Sequence, residues 1–147
     1  MNPKTLESKW QKKWTKAKAY ESEPGGAKDK YFVNCPYPYM NGYLQLGHAF
    51  TYLRADMVSR YQRMKDKNVL FPFAFHCTGT PIVAAAQRVK EGEKIQINAL
   101  KQMGLDDKLI SKFSDPEEWT KHFPDKAIED LKRFGSVSYT HLRAHET

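Results

Sequence analysis

Apolar residues recur along this chain at two different periods. Leu6, Trp10 and Trp14 return every fourth residue with lysines between them, which predicts an amphipathic helix over 3–19 whose apolar stripe docks on the main core. Glu21 to Asp29 interrupts that pattern with Pro24, Gly25 and Gly26 and reads as a linker. Tyr31-Phe32-Val33-Asn34-Cys35 is then an apolar run of strand length, stopped by Pro36 and followed by a Pro/Tyr/Gly loop to Gly42. From about Gly47 the helical period returns. Phe50, Leu53, Met57, Tyr61 and Met64 keep three-to-four spacing as far as Lys65. A polar turn over Lys65 to Asn68 leads into a second strand, Val69-Leu70-Phe71-Pro72-Phe73.

The rest of the chain reads as helices. Thr80 is placed to cap one, with Pro81 at its first position, and Ala84, Ala85 and Ala86 carry it to about Lys90. Another helix is expected from Ile95 to Met103, with Gly104 past its end. Asp115-Pro116-Glu117-Glu118 has the order of a cap, a first-turn proline and a capping-box acid. A final helix is expected near Asp125 to Phe134, closed by Gly135. Strand, helix, strand, helix with short connections is a βαβ unit, which implies an α/β fold with a parallel sheet and a right-handed crossover. Two strands do not complete a sheet, so the pattern reads as the opening of a larger doubly wound domain. The expected organisation is a helix and linker over 1–30, half of such a domain over 31–135, and a polar tail over 136–147 that has neither helix nor strand period.

Composition narrows the classes. The 147 residues carry 24 Lys and Arg against 17 Asp and Glu, a net charge of +7, which suits an anionic partner such as a nucleotide or RNA. Basic solvated faces without such a partner are common, and Lys12, Lys13, Lys16 and Lys18 read first as a solvated face. Cys35 and Cys77 are the only cysteines, so a disulfide scaffold is excluded. No apolar stretch approaches the roughly 18 residues of a membrane span. The first 30 residues hold eight lysines together with Glu7, Glu21, Glu23 and Asp29, unlike a secretory or transit segment. With two cysteines and no such segment, the expected compartment is the cytoplasm.

The chemistry sits in the loop after the first strand, since ligands of open α/β sheets bind beyond the carboxyl ends of the strands. The N–H groups at the start of the next helix attract phosphates. Gly47 leaves the backbone approachable there, His48 stands at the helix entrance with a ring donor, and Gln45 offers an amide three residues earlier. Gly42 and Gly47 have the glycine spacing of a P-loop, but His48-Ala49 stands where Lys-Ser/Thr is needed. No Gly-x-Gly-x-x-Gly occurs. On spacing alone, an ordinary turn with a surface histidine outweighs a phosphate role. His76-Cys77 has no second ligand pair and adjacent residues rarely face one another, which argues against a metal site or a Cys–His nucleophile. Tyr37 and Tyr39 are equally readable as packing residues.

Longer blocks decide more. Pro36 to His48 resembles the first signature of class I aminoacyl-tRNA synthetases, whose core is His-x-Gly-His. Pro-Tyr-Pro-Tyr-Met-Asn-Gly (36–42), Phe-Pro-Phe-Ala-Phe-His-Cys-Thr-Gly-Thr-Pro (71–81) and Phe-Pro-Asp-Lys-Ala-Ile-Glu-Asp-Leu-Lys-Arg-Phe-Gly (123–135) together resemble leucyl-tRNA synthetases of the archaeal and eukaryotic cytosolic type. Ala55-Asp56 and Arg60 to Met64 are shared in flavour with the methionyl enzymes, and the 71–81 block favours leucyl. Gln45 departs from the signature, standing where the family usually has its first histidine; glutamine keeps a neutral donor but no charge.

The resemblance implies the first βαβ portion of a Rossmann-like catalytic domain, with an N-terminal helix and further C-terminal helices. It implies ATP as substrate, with Mg2+ expected, and leucine and tRNA(Leu) as the other partners, with no membrane partner. His48, Gly47 and Gln45 would hold adenosine and phosphate. Tyr37, Pro38, Tyr39, Met40 and Asn41 would border the leucine, with Met40 and Tyr39 in apolar contact and His76 accepting from its amino group. Family chains are several times longer, with an editing domain, a second half of the sheet, a Lys-Met-Ser-Lys-Ser-type loop and an anticodon-binding region that are absent here. The sequence therefore reads as an N-terminal fragment, expected to be inactive and marginally stable by itself, with a tail over 136–147 that has no family counterpart. A small nucleotidyltransferase and a non-catalytic nucleotide- or tRNA-binding module are the competing classes.

Overall fold

The computed structural model describes residues 2–136; the tail beyond Ser136 lies outside them. It is a mixed α/β arrangement of two strands and six helices among the described residues. In order these are α1 (Pro3–Lys16), β1 (Lys30–Phe32), α2 (Leu46–Met64), β2 (Asn68–Leu70), α3 (Thr80–Lys90), α4 (Lys94–Gln102), α5 (Asp107–Lys112) and α6 (Pro116–Arg133). The chain divides into two compact units. The first comprises residues 2–36, 46–74 and 130–136; the second comprises 37–45 and 75–129.

In the first unit β1 and β2 pair in parallel, Tyr31 opposite Val69, with α2 as the connection between them. Both strands are shorter than the apolar runs that predict them. The ladder ends with Val33 N–H donating to Leu70 O, because Pro72 has no N–H to continue it. The runs stay buried beyond the ladder, at Val33, Cys35, Phe71 and Phe73. The helical period over 46–64 is as expected, but the face is not. Tyr52, Asp56 and Ser59 are the buried positions, while the periodic apolar residues face outward, Phe50 64 %, Met57 68 % and Met64 85 % exposed.

The inward face of α2 is polar and tied to its surroundings. Asp56, 4 % exposed, accepts from Arg60 Nε at 2.7 Å and from Ser136 Oγ at 3.4 Å. Arg60 Nη2 donates to Gly135 O at 2.6 Å. Arg63 Nη2 reaches Tyr20 O and Val69 O, and burial lowers its pKa. These bonds hold the linker after α1, the middle of β2 and the residues after α6 to one helix.

The second unit is helical around one core of Met40, Ile82, Ala85, Leu100, Phe113, Trp119 and Phe123. The start of α3 differs from expectation. Gly79, not Thr80, is the N-cap, at φ 96°, a backbone conformation that favours glycine; Ile82 and Val83 N–H bond to its carbonyl. Gly104 closes α4 as expected, at φ 84°, with Leu105 N–H returning to Leu100 O. The short α5, capped by Asp106 on Leu109 N–H, is absent from the apolar pattern.

The break expected before Asp125 is not there. α6 runs through Pro124, and Trp119, Phe123, Ala127 and Leu131 form its buried stripe at four-residue spacing. Burial of that stripe outweighs the roughly 3 kcal/mol cost of an internal proline. At its start Asp115 caps Glu117 N–H as predicted, but the Glu118 carboxylate pairs with Lys121 instead of closing a capping box.

Candidate active site

In the first unit, Gly47 and His48 lie in the first turn of α2, which begins one residue earlier, at Leu46. No acidic residue occupies that turn, so its N–H groups and dipole present positive potential to an incoming anion. A side chain at position 47 would point into open space, which leaves the backbone there approachable. The Gly47 carbonyl accepts from Thr51 Oγ1 at 3.1 Å, fixing the turn. His48 is half-buried and stacks on Tyr52, centroids 6.0 Å apart and planes 11° apart. Tyr52 in turn meets Phe73 edge-on at 4.8 Å. Burial holds the Tyr52 phenol protonated, well above the ordinary tyrosine range. The imidazole thus rests on a buried aromatic pair. Tyr52 was not among the sequence candidates; its position four residues after His48, on the same helix face, is the signal that identifies it.

A cleft of about 430 Å³ opens beside these turns at the carboxyl end of β1, lined by Asn34, Cys35, Pro36, Thr51 and Arg54 among others. This is where open α/β sheets place ligands. Thr51 and Arg54 bring a hydroxyl and a cation to it, which the signature alone does not reveal. Burial pushes the Cys35 thiol up to about 11, and it also raises the Cys77 pKa. At pH 8 a pKa of about 11 leaves only about 0.1 % of Cys35 as thiolate. Iodoacetamide at pH 8 should therefore modify the half-buried Cys77 well before the buried Cys35. Equal rates by peptide mass spectrometry would contradict this packing.

In the second unit, Tyr37, Pro38, Tyr39 and Met40 gather around His76. Met40 N–H donates to His76 O at 3.1 Å and His76 N–H to Pro38 O at 2.9 Å, a parallel bridge. The Tyr39 ring stacks on His76 at 4.9 Å and Tyr37 lies 6.1 Å away. Tyr39 is exposed and His76 half-buried, so this pair presents a face to a ligand. Met40 is wholly buried in the core, which leaves its side chain no surface for a ligand. Asn41 and Gln45 are exposed at either side of the turn. Gly42 lies close to the core: a Cβ there would come within 3.2 Å of Met103 Cε, the flexible end of a side chain that would have to give by a few tenths of an ångström. Tyr43 packs edge-on against Phe123 and beside His122, whose pKa burial lowers. Among the described residues no group of three or more His, Cys, Asp or Glu is arranged to hold a metal. No helix among them is long and apolar enough to cross a membrane.

Residues 9–140 match the family model for class I tRNA synthetases of the I, L, M and V group. The chain belongs to this family. Its relatives include a leucine–tRNA ligase of Aeropyrum pernix, 45 % identical over 132 residues, which covers 90 % of this chain and 14 % of that protein. A leucine–tRNA ligase of Nanoarchaeum equitans is 49 % identical over 106 residues, 72 % of this chain and 11 % of the relative. This class I chain thus spans about 14 % of the length of the Aeropyrum protein. Its fold is similar to part of the Agrobacterium radiobacter LeuRS solved in ternary complex with tRNA and LeuAMS. That match has a TM-score of 0.66 at 23 % identity, over 90 % of this chain and 14 % of that one.

Proposed function

We propose that this chain is an N-terminal part of a cytoplasmic leucine–tRNA ligase, the first βαβ portion of its Rossmann-like catalytic domain. The observation that carries the reading is 45 % identity to a leucine–tRNA ligase across 90 % of the chain. In the complete enzyme the leucine carboxylate attacks the α-phosphate of ATP, forming leucyl-adenylate and releasing pyrophosphate. The leucyl group then passes to a terminal hydroxyl of tRNA(Leu). Positioning and fixed donors supply most of such an acceleration. The α2 N-terminus, Gly47 and His48 face the phosphates with N–H groups, and Gln45 adds a neutral amide where the family has a second imidazole. Tyr37, Tyr39, Asn41 and the Pro38 backbone border the leucine, and His76 lies on the side of its amino group. The outward apolar face of α2 supports the same reading, since a complete domain buries such a stripe.

The test is ATP–pyrophosphate exchange by the complete chain that carries this segment, with leucine, isoleucine, valine and methionine offered separately. Leucine-dependent exchange is expected, with methionine inert. Exchange that follows methionine, or that is absent with all four, would overturn the assignment.

A further inference from the structure

α1 is unusual among the helices in burying none of its residues. Its two sides nevertheless differ. Gln11 and Trp14 hold it to the first unit: Gln11 Nε2 donates to Lys132 O at 2.8 Å, and Trp14 meets Tyr20 edge-on beneath Arg60. The opposite side carries Lys9, Lys12, Lys13 and Lys16, at i, i+3, i+4 and i+7, all exposed. No carboxylate among the described residues lies within ion-pair range of any of the four. Lys121 and Lys126 of α6, by contrast, are held by glutamates. Lys13 also covers the ring of Trp10, which is 43 % exposed at the edge of the stripe.

We infer that this lysine stripe is a docking surface for the sugar–phosphate backbone of RNA. Seven residues of helix span about 10 Å. A nucleic-acid backbone presents several negative charges over that length, so four unneutralised ammoniums meet a matching row of phosphates. Trp10 at the margin supplies a ring face of the kind unpaired bases stack on. A lipid surface fits less well. An interfacial helix sinks the apolar face opposite its lysines into the membrane. Here that opposite face is engaged by Lys132, Tyr20 and Arg60 of the protein itself.

The inference rests on the ligase reading for the identity of the RNA, and its test separates the two. Binding of unfractionated tRNA to the complete chain is followed by fluorescence anisotropy across a salt series. The variant replaces Lys9, Lys12, Lys13 and Lys16 by Gln, whose helix propensity is close to that of Lys. A charge-matched control replaces Lys90, Lys94, Lys108 and Lys112 by Gln. The stripe variant is expected to bind about tenfold or more weakly at low salt, with a log–log salt slope shallower by about three. The control is expected to change affinity less than about threefold. Equal effects in both variants, or none in the stripe variant, overturn the inference. So does loss of binding to phosphatidylserine vesicles with tRNA affinity intact, which would assign the stripe to lipid. Should the quadruple variant fail to fold by circular dichroism, the Lys9/Lys12 and Lys13/Lys16 double variants carry the same comparison. Leucine-dependent exchange needs no RNA and is measured in parallel: its absence condemns the ligase reading alone, and its presence with unaltered tRNA binding condemns the stripe alone.

Discussion

Replacing Trp119 by alanine should destabilise the second unit by about 3–5 kcal/mol, the usual range for deleting a large aromatic from a packed core. Trp119 is wholly buried, with Phe113 at 4.9 Å and Phe123 at 5.5 Å between ring centroids. Its Nε1 donates to Phe113 O at 2.7 Å, at the residue that ends α5. Alanine removes the ring contacts and leaves that carbonyl without its donor, and a buried unpaired acceptor costs about 1–3 kcal/mol. Trp119→Phe separates the two effects. It keeps most of the apolar volume and loses the hydrogen bond, so it should cost about 1–2 kcal/mol less than the alanine variant. Urea unfolding followed by far-ultraviolet circular dichroism reads both as midpoint shifts at constant slope. An alanine variant within about 1 kcal/mol of the parent would mean that the Trp119 pocket is not the centre of this core.

Trp119 also shows what the amino-acid pattern could and could not disclose. Its four-residue spacing to Phe123 and Ala127 is plain in the sequence, yet Pro124 argues for a break inside the same stretch. Local propensity and tertiary burial conflict there, and burial prevails because three of the core's own members sit on that stripe. α2 presents a different limit. Period alone locates the helix, and it locates the wrong face, because Tyr52, Asp56 and Ser59 are buried through hydrogen bonds and ring contacts, not through hydropathy. α5 has six residues and a single cap, too short for any period to register. The strands and the parallel pairing were legible from two apolar runs flanking one helix. Within the candidate site, Gly47 and His48 were legible because a helix start has a chemistry of its own. The Tyr39–His76 stack was not derivable from spacing, since α2 and β2 lie between the two residues in sequence.

His48→Ala should lower leucine-dependent ATP–pyrophosphate exchange by the complete enzyme by about 10²–10³-fold, the loss typical of a fixed donor to developing phosphate charge. The structural basis is local. His48 enters from the first turn of α2, where backbone N–H groups already point at the same region, and Tyr52 holds its ring by stacking. A donor that binds the phosphate most strongly in the transition state should leave the KM for ATP nearly unchanged while kcat falls. His48→Gln should recover part of the loss, because its amide also donates; that recovery would match the chain's own use of glutamine at position 45. A role confined to stability is the weaker explanation, since the imidazole is half-exposed. Thermal unfolding of the alanine variant should therefore shift by no more than a few degrees. Exchange at the parent rate in His48→Ala would remove His48 from the site. A fall in exchange matched by a large loss of thermal stability would make the residue a packing element of α2. A fall in kcat alone, with an unchanged melt and partial recovery in His48→Gln, is the signature of a side chain that touches the reacting phosphate.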